Sequence, residues 1–279
     1  MTRLTHAVAA GAVVALAAVG VTFGPADHAS AATCKVAALA DVAGAADYQL
    51  GATANARMIA ADPSVTRILV AGDLAYEDGT EQQFRDYWRP AFGSQEAKVF
   101  AVPGNHEHTG TGLDGIEAEL GDSADDNRGT TVCGSWRVVG VNPYKGVTSA
   151  VNFIKAERGR YPNHRLIVLW HAPAYSSGMH GGDPASKPLF DAARTVKARI
   201  VINGHDHNYE RFSTKDGVRQ FVSGLGGHGV RPLGTTASGS AKRYTGQPGS
   251  LFLTLNSDGS YSWVFRTTDG TVRDSGSQS

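Results

Sequence analysis

The chain has 279 residues, 41% of them hydrophobic and 19% charged, which suits one large globular domain or two small ones. Its 26 basic and 26 acidic residues cancel, which argues against a protein that binds nucleic acid through bulk positive charge. A chain that is neutral overall can still carry a locally charged site.

The first thirty-odd residues differ from the rest. Arg3 is followed by the uncharged run AVAAGAVVALAAVGVTF and then by GPADHASAA. A basic start, an apolar stretch and a small-residue site such as Ala29-Ser30-Ala31 are typical of a secretory signal peptide. We therefore expect residues 1–31 to be removed near Ala31, which leaves a secreted single domain at 32–279 with no membrane anchor. The alternative is an uncleaved anchor, for which this Ala/Gly-rich run is marginal.

The chain has two cysteines, Cys34 and Cys133. If the protein is exported, these cysteines reach an oxidising compartment, where an even number of cysteines favours pairing. The sequence therefore predicts a Cys34–Cys133 disulfide. The alternative is two buried free thiols.

Apolar runs rich in β-branched residues alternate with helical patterns over most of the chain. In the first helical pattern Leu50, Ala54 and Met58 recur at a spacing of four. The predicted strands span 35–40, 67–72, 98–104, 136–142, 165–171 and 198–204. The predicted helices span 48–61, 81–90 (ending at Pro90), 147–159 (ending at Gly159) and about 186–195.

Alternating strand patterns follow after residue 208, and Asp258-Gly259 and Asp269-Gly270 are typical of hairpin turns. A chain that is β-α-β first and antiparallel β later predicts two sheets in one layered domain. Residues 107–130 and 224–250 have no periodic pattern and are predicted to be surface loops. His228, in the second of them, is expected at the surface; the alternative is that it approaches the site.

Polar residues that can bind metal follow five of the apolar strands. They are Asp41, Asp73 with Tyr76, Asn105 with His106, His171, and His205 with His207. In α/β sheets ligands collect beyond the carboxyl ends of the strands, so these side chains are expected to meet at one edge.

The ordered blocks D…GDxxY…GNHE…H…GHxH resemble those of the calcineurin-like metallophosphoesterase superfamily and span roughly residues 35–225. Tyr76, three residues after Asp73 in GDLAY, resembles the purple acid phosphatase branch. Most of the superfamily has D-x-H in the first block, but here Ala43 stands at the histidine position and cannot bind a metal. The ADVAG block also lacks the glycine that usually precedes the aspartate.

The resemblance implies an α/β fold, a four-layer α-β-β-α sandwich with two mixed β-sheets and a metal site at the carboxyl ends of strands. It also implies two sets of ligands: Asp41, Tyr76 and His207 for the first metal, Asn105, His171 and His205 for the second, and Asp73 as the bridge. Hard oxygen ligands suit Fe(3+) at the tyrosine site, and the mixed set suits a divalent ion, Zn, Mn or Fe.

By the same resemblance, His106 and His180 are candidate catalytic residues on the substrate side. The implied function is a secreted acid phosphatase-like enzyme that cleaves phosphate monoesters by in-line attack of a metal-bound hydroxide. The expected partner is a small phosphorylated substrate, with no nucleic-acid-binding surface; the sequence carries no signal for the oligomeric state. A phosphodiesterase or nucleotidase, and a non-catalytic metal- or phosphate-binding protein, are the alternatives.

Overall fold

Strands and helices alternate along the computed structural model of the chain, which describes residues 1, 33–109, 113–121 and 128–279. The predicted signal peptide lies outside the described residues, so its removal stays a prediction. All the elements named below belong to one compact unit, Ala31–Ser279.

The strands are β1 Cys34–Leu39, β2 Val65–Ala71, β3 Val99–Val102, β4 Arg128–Cys133, β5 Trp136–Val141, β6 Arg165–Leu169, β7 Ile200–Asn203, β8 Tyr209–Phe212, β9 Arg219–Ser223, β10 Ser240–Tyr244, β11 Gly249–Leu255, β12 Tyr261–Thr267 and β13 Val272–Gln278. The helices are α1 Asp47–Ala60, α2 Glu81–Gln83, α3 Arg89–Phe92, α4 Asp114–Leu120, α5 Val147–Arg160 and α6 Lys187–Thr195, with a π-helical segment, Phe84–Trp88, between α2 and α3.

The strands form two mixed sheets. The first has the order β13-β12-β11-β1-β2-β3, and the second has the order β10-β8-β9-β7-β6-β5-β4. Strands β1, β2 and β3 are parallel to one another, as are β5, β6, β7 and β9, while the remaining pairs are antiparallel. The carboxyl ends of β1, β2 and β3 therefore share one edge of their sheet, and those of β5, β6 and β7 share one edge of theirs.

Alternation along the strands divides the apolar side chains among three buried clusters. In β1, Val36 and Ala38 face the second sheet, whereas Ala37 and Leu39 face the helices. Helices α1, α3 and α4 and the π-helical segment cover the first sheet, and α5 and α6 cover the second. The predicted four-layer α-β-β-α sandwich with two mixed sheets is confirmed.

The predicted end of the second helix at Pro90 is wrong. A capping box starts α2, because Gln83 N–H donates to Thr80 Oγ1 and Thr80 N–H donates to Gln83 Oε1. The π-helical segment then intervenes, so Pro90 falls in the first turn of α3, where a missing N–H breaks no α-helical hydrogen bond. At α5 the helix passes Gly159 and ends one residue later, at Arg160.

The two predicted surface loops also contain regular structure. Residues 107–130 include α4 and the start of β4, and 224–250 include β10 and the start of β11. Strands β4 and β10 are the edge strands of the second sheet and pair on one side only. Edge strands need less apolar character than central ones, which explains why their sequences show no buried-strand pattern. Among the described residues, no helix is both long and apolar enough to span a bilayer.

The predicted disulfide between Cys34 and Cys133 is present, and the two Cα atoms are 5.5 Å apart. It joins β1 of the first sheet to β4 of the second and closes a loop with a sequence separation of 99 residues. Both cysteines are buried, and the Thr66 hydroxyl lies 2.9 Å from the Cys34 sulfur.

Replacing both cysteines with alanine is expected to lower the free energy of unfolding by about 4–5 kcal/mol, because a loop of this length loses much entropy when it is closed in the unfolded state. Urea unfolding of the two proteins measures the difference. Thiol titration of the unfolded, unreduced protein should find no free thiol, and two titratable thiols would contradict the bridge.

Candidate metal centre

The loops that follow β1, β2 and β7 carry three of the predicted ligands in unusual backbone conformations. Asp41, Asp73 and His205 have φ angles of 59°, 52° and 70°. Non-glycine residues seldom adopt this left-handed region, and where they do the surrounding structure must hold them there, often at functional sites. The loop after β3 can approach the Asp73 carboxylate closely because residue 104 is glycine, since a Cβ there would overlap with that carboxylate.

The first group of donor atoms lies between the loops after β1, β2 and β7. The Tyr76 hydroxyl oxygen is 3.0 Å from Asp41 Oδ1 and 2.9 Å from Asp73 Oδ2. His207 Nε2 is 3.4 Å from the same hydroxyl oxygen and 3.5 Å from Asp41 Oδ1. These are the side chains that the resemblance assigns to the first metal and the bridge.

The second group shares one oxygen with the first. Asp73 Oδ2 is 3.1 Å from His171 Nε2, which is 3.2 Å from Asn105 Oδ1. Asn105 Oδ1 is in turn 3.0 Å from His205 Nδ1. All seven predicted ligands therefore meet in two groups that share Asp73 Oδ2, although their role as ligands stays a prediction.

Hydrogen bonds from outside these groups fix the orientation of the donor atoms. His171 Nδ1–H donates to the Ala71 carbonyl oxygen at 2.7 Å, which directs Nε2 at Asp73. The His205 backbone N–H donates to Asp41 Oδ2 at 2.9 Å, so that Oδ1 remains for the first group.

Glu107, in the GNHE block, was not predicted to have a role, yet it organises two of the loops. Its buried carboxylate accepts hydrogen bonds from the backbone N–H groups of Asp73, Leu74, Ala75 and Gly104, at 2.7–3.3 Å. Burial raises its pKa to about 7, and the charge of Asp73 adds to this effect. Its place in the same block as Asn105 and His106 was the signal that could have revealed it.

Buried charges at the centre shift one another's pKa values. Burial raises the pKa of Asp41 well above its ordinary value. Burial also opposes the ionisation of Asp73, but attraction to His171 outweighs it and holds the pKa of Asp73 below its ordinary range. Burial lowers and Asp73 raises the pKa of His171, with a net result of about 9.

Burial at the same centre also shifts the pKa values of Tyr76, His205 and His207. Burial, and then the charges of Asp41 and Asp73, raise the pKa of Tyr76 well above its ordinary value. A cation between these oxygens would reverse the local field and favour the phenolate. Burial lowers the pKa values of His205 and His207 to about 3, which keeps both imidazoles neutral, the form that binds metals.

The donor set fits a pair of cations. Asp41, Asp73 and His171 offer atoms that all lie within 4.8 Å of one another and are buried. Two buried carboxylates this close repel each other, and the Tyr76 hydroxyl has only one proton to share between them. Cations would compensate both charges, and the mixture of carboxylate, phenol, amide and imidazole donors suits transition metal ions.

Both predicted catalytic histidines lie beside these groups. His106 Nε2 is 3.9 Å from Asp73 Oδ2, and Nδ1 is 2.5 Å from the Glu77 carbonyl oxygen. The carbonyl can only accept, so Nδ1 carries a proton and Nε2 is the atom directed toward the centre. The His180 ring lies 4.5 Å from that of His205, measured between centroids, and the side chain is exposed.

The expectation that His228 lies on a surface loop is wrong. This histidine is buried, and its ring stacks on that of Tyr76 with the centroids 3.4 Å apart and the planes at 5°. The ring of Tyr48, from α1, is 4.1 Å from it, measured between centroids. The backbone N–H of His228 donates to the Asp41 carbonyl oxygen at 2.9 Å. This bond draws the Gly-rich segment back over the centre, which explains why His228 is not exposed.

Two groups of converging donor atoms lie at the carboxyl ends of parallel strands, where they could hold metal ions. The model of the calcineurin-like phosphoesterase family matches residues 34–209, which is more than half of the chain. The protein therefore belongs to the calcineurin-like phosphoesterase family. A comparison with curated proteins gives no match.

Solved structures with the same fold include proteins of different kinds. GAP50, the anchor in the inner membrane complex of Plasmodium, has a TM-score of 0.69 and 16% identity, with 88% of each chain covered. The purple acid phosphatase PPD1 from yellow lupin seeds has a TM-score of 0.68 and 20% identity; the match covers 88% of this chain and 54% of the lupin chain. A dimetal phosphatase from Danio rerio has a TM-score of 0.56 and 12% identity, covering 88% and 98%.

Proposed function

We propose that this protein is a secreted binuclear metallohydrolase that cleaves phosphate monoesters. The observation that carries the proposal is the pair of donor groups joined at Asp73 Oδ2. In such a centre Asp41, Tyr76 and His207 would hold one metal, Asn105, His171 and His205 the other, with Asp73 between them. Two metals held in this way would supply an activated water and polarise the phosphoryl group.

The protein's own residues would divide the remaining work. The loops after the strands hold the donors rigidly, since Glu107 binds the backbone of Asp73 and of Gly104. His106 would hold a proton on Nε2 and transfer it to the leaving oxygen, because its Nδ1 is committed to the Glu77 carbonyl. Secretion is supported by the N-terminal sequence pattern and by the disulfide.

The fold alone does not decide between catalysis and binding, because the matched structures include an anchor as well as phosphatases. The complete donor set favours catalysis. A phosphodiesterase or nucleotidase would use the same donors, so the substrate preference depends on the surrounding loops rather than on the metals.

The test is elemental analysis of the purified mature protein combined with a panel of phosphate monoesters and diesters. We expect about two metal ions per chain and higher kcat/KM for monoesters. A protein that binds two metals but prefers diesters would support the phosphodiesterase alternative, whereas one that binds metals and hydrolyses neither class would support a binding role.

We further propose that the metal at Tyr76 is Fe(3+) and that its partner is Zn, Mn or Fe in the divalent state. A phenolate bound to ferric iron should give the protein a visible absorption band. Tyr76→Phe is expected to remove this band, because phenylalanine has no ligand oxygen, while the second metal is retained. Absorption spectra and metal analysis of both proteins provide the measurement; a band that survives in Tyr76→Phe would contradict the assignment.

A further inference from the structure

Arg231 lies beside the metal centre and was not among the residues that the sequence singled out. Its backbone N–H donates to the His207 carbonyl oxygen at 3.3 Å, and the Arg231 carbonyl oxygen accepts from the Thr245 hydroxyl at 2.8 Å. These bonds hold its backbone against the loop that carries His205 and His207. The side chain is half-buried, and its Nη1 is 2.8 Å from His180 Nε2.

The charge of Arg231 has no anionic partner in the part of the chain that the structure describes. No carboxylate there lies within 4.0 Å of the guanidinium, unlike those of Arg89, Arg137 and Arg211, which are paired. A guanidinium stays charged at any ordinary pH and has five N–H donors, of which the contact with His180 uses one. Most of its hydrogen-bonding capacity is therefore available to another molecule.

Hydrogen bonds around His180 fix the position of the Arg231 guanidinium. The His180 backbone N–H donates to Asp206 Oδ1 at 2.8 Å, and the other oxygen of Asp206 accepts from the Ser176 hydroxyl. The His180 ring is thereby held 4.5 Å from the ring of His205, measured between centroids, with Nε2 accepting from Arg231. The guanidinium consequently lies near both His205 and His207, and its positive charge contributes to their lowered pKa values, which burial lowers most.

A permanent cation beside a centre for two metal ions is unfavourable unless an anion binds there. We propose that Arg231 binds a phosphoryl oxygen of the substrate through its free N–H donors, and that His180 is a positioning residue that holds the guanidinium in place. This inference rests on the proposed function. It also gives His180 a different role from proton transfer, because an Nε2 that accepts from a guanidinium carries no proton.

Arg231 and His106 then have separate roles that experiments can distinguish. A guanidinium donates hydrogen bonds but does not release a proton, so Arg231 strengthens phosphate binding whatever the leaving group. His106 acts on the leaving oxygen, and its effect depends on the leaving group.

The test compares Arg231→Met with a matched control, Arg67→Met. Arg67 is also half-buried and outside any ion pair among the described residues, but it lies at the start of β2, the end opposite to Asp73. The readout is the Kd of inorganic phosphate for the metal-loaded protein, measured by titration calorimetry, together with metal content and the separate values of KM and kcat for nitrophenyl phosphate.

Arg231→Met is expected to keep both metals and to weaken phosphate binding by about 10- to 100-fold, the range for a lost hydrogen bond to a charged group. KM should rise more than kcat falls. His180→Ala should change the same quantities in the same direction but by less, and Arg231→Lys, which keeps the charge without the fork, should fall between Arg231→Met and the parent. Arg67→Met should resemble the parent protein.

The proposal falls if Arg231→Met and Arg67→Met bind phosphate equally well while the parent protein holds two metals and hydrolyses monoesters. The function proposed above would stand in that case. A parent protein that holds neither metal nor phosphate would overturn both. If Arg231→Met does not fold, His180→Ala and Arg231→Lys decide, since unchanged phosphate binding in both would also refute the role of Arg231.

Discussion

Replacing Asp73 with asparagine is expected to prevent binding of both metal ions and to lower the rate of phosphate ester hydrolysis by more than about 10⁴-fold, beyond the usual loss of a single general acid or base. Asp73 Oδ2 is the atom that both donor groups share, at 2.9 Å from the Tyr76 hydroxyl and 3.1 Å from His171 Nε2. Substitution of any other predicted ligand disturbs one group only.

The electrostatics of the centre reinforce this expectation. Asp73 is fully buried, and although burial opposes its ionisation, its attraction to His171 holds its pKa below the ordinary range and favours the charged carboxylate. Asparagine has nearly the same shape but no charge, and a neutral amide oxygen is a much weaker ligand for a multiply charged cation. The change therefore tests charge and coordination rather than packing.

Metal analysis and kinetics of Asp73→Asn provide the measurement, with Asp191→Asn as the control. Asp191 lies exposed on α6, where it pairs with Arg194 at 2.9 Å, so the same chemical change there should leave metal content and activity unaltered. Two tightly bound metals in Asp73→Asn would show that the shared oxygen is not the bridge.

The sequence predicted the sheets and the meeting of the candidate ligands at one edge for the same physical reason. Central strands of a covered sheet are buried on both faces, so they appear as continuous apolar runs, and the first polar residue after each run lies at the sheet edge. Asp41, Asp73 and His171 were located in this way, and the structure places them within 4.8 Å of one another. The role of Tyr76 came from family resemblance instead.

The residues that were missed make long-range contacts that leave no periodic trace. Arg231 and His228 lie in an irregular segment, and each meets the centre only because that segment folds back over it. The edge strands β4 and β10 have too few apolar positions to be recognised, and the helix through Pro90 depends on a π-helical segment that propensity does not indicate.

His106→Ala is expected to keep both metals and to lower kcat by about 10²–10⁴-fold, the usual contribution of a general acid or base. His106 Nε2 is 3.9 Å from Asp73 Oδ2, close enough to face a substrate held at the centre, and His106 is not one of the predicted metal ligands. Its Nδ1 is bound by the Glu77 carbonyl, so the ring is already oriented without a metal.

The dependence on the leaving group distinguishes proton transfer from simple phosphate binding. Nitrophenolate leaves readily without a proton, so the loss of kcat should be smaller for nitrophenyl phosphate than for an alkyl phosphate. Arg231→Met should show no such difference, because a guanidinium does not release its proton. The measurement is kcat for a series of monoesters whose leaving groups span a wide range of pKa.

Two comparisons make the result specific to His106. Asn105→Ala, one residue earlier, should lower occupancy of the second metal, because the Asn105 amide oxygen lies 3.2 Å from His171 Nε2 and 3.0 Å from His205 Nδ1. His164→Ala removes a histidine between α5 and β6, where its ring contacts Tyr161, and should change neither metal content nor activity.

If His106→Ala loses a metal, or hydrolyses an alkyl phosphate at the parent rate, His106 is not the proton donor. Retained metals with a loss that grows as the leaving group becomes poorer would assign the proton to His106 Nε2.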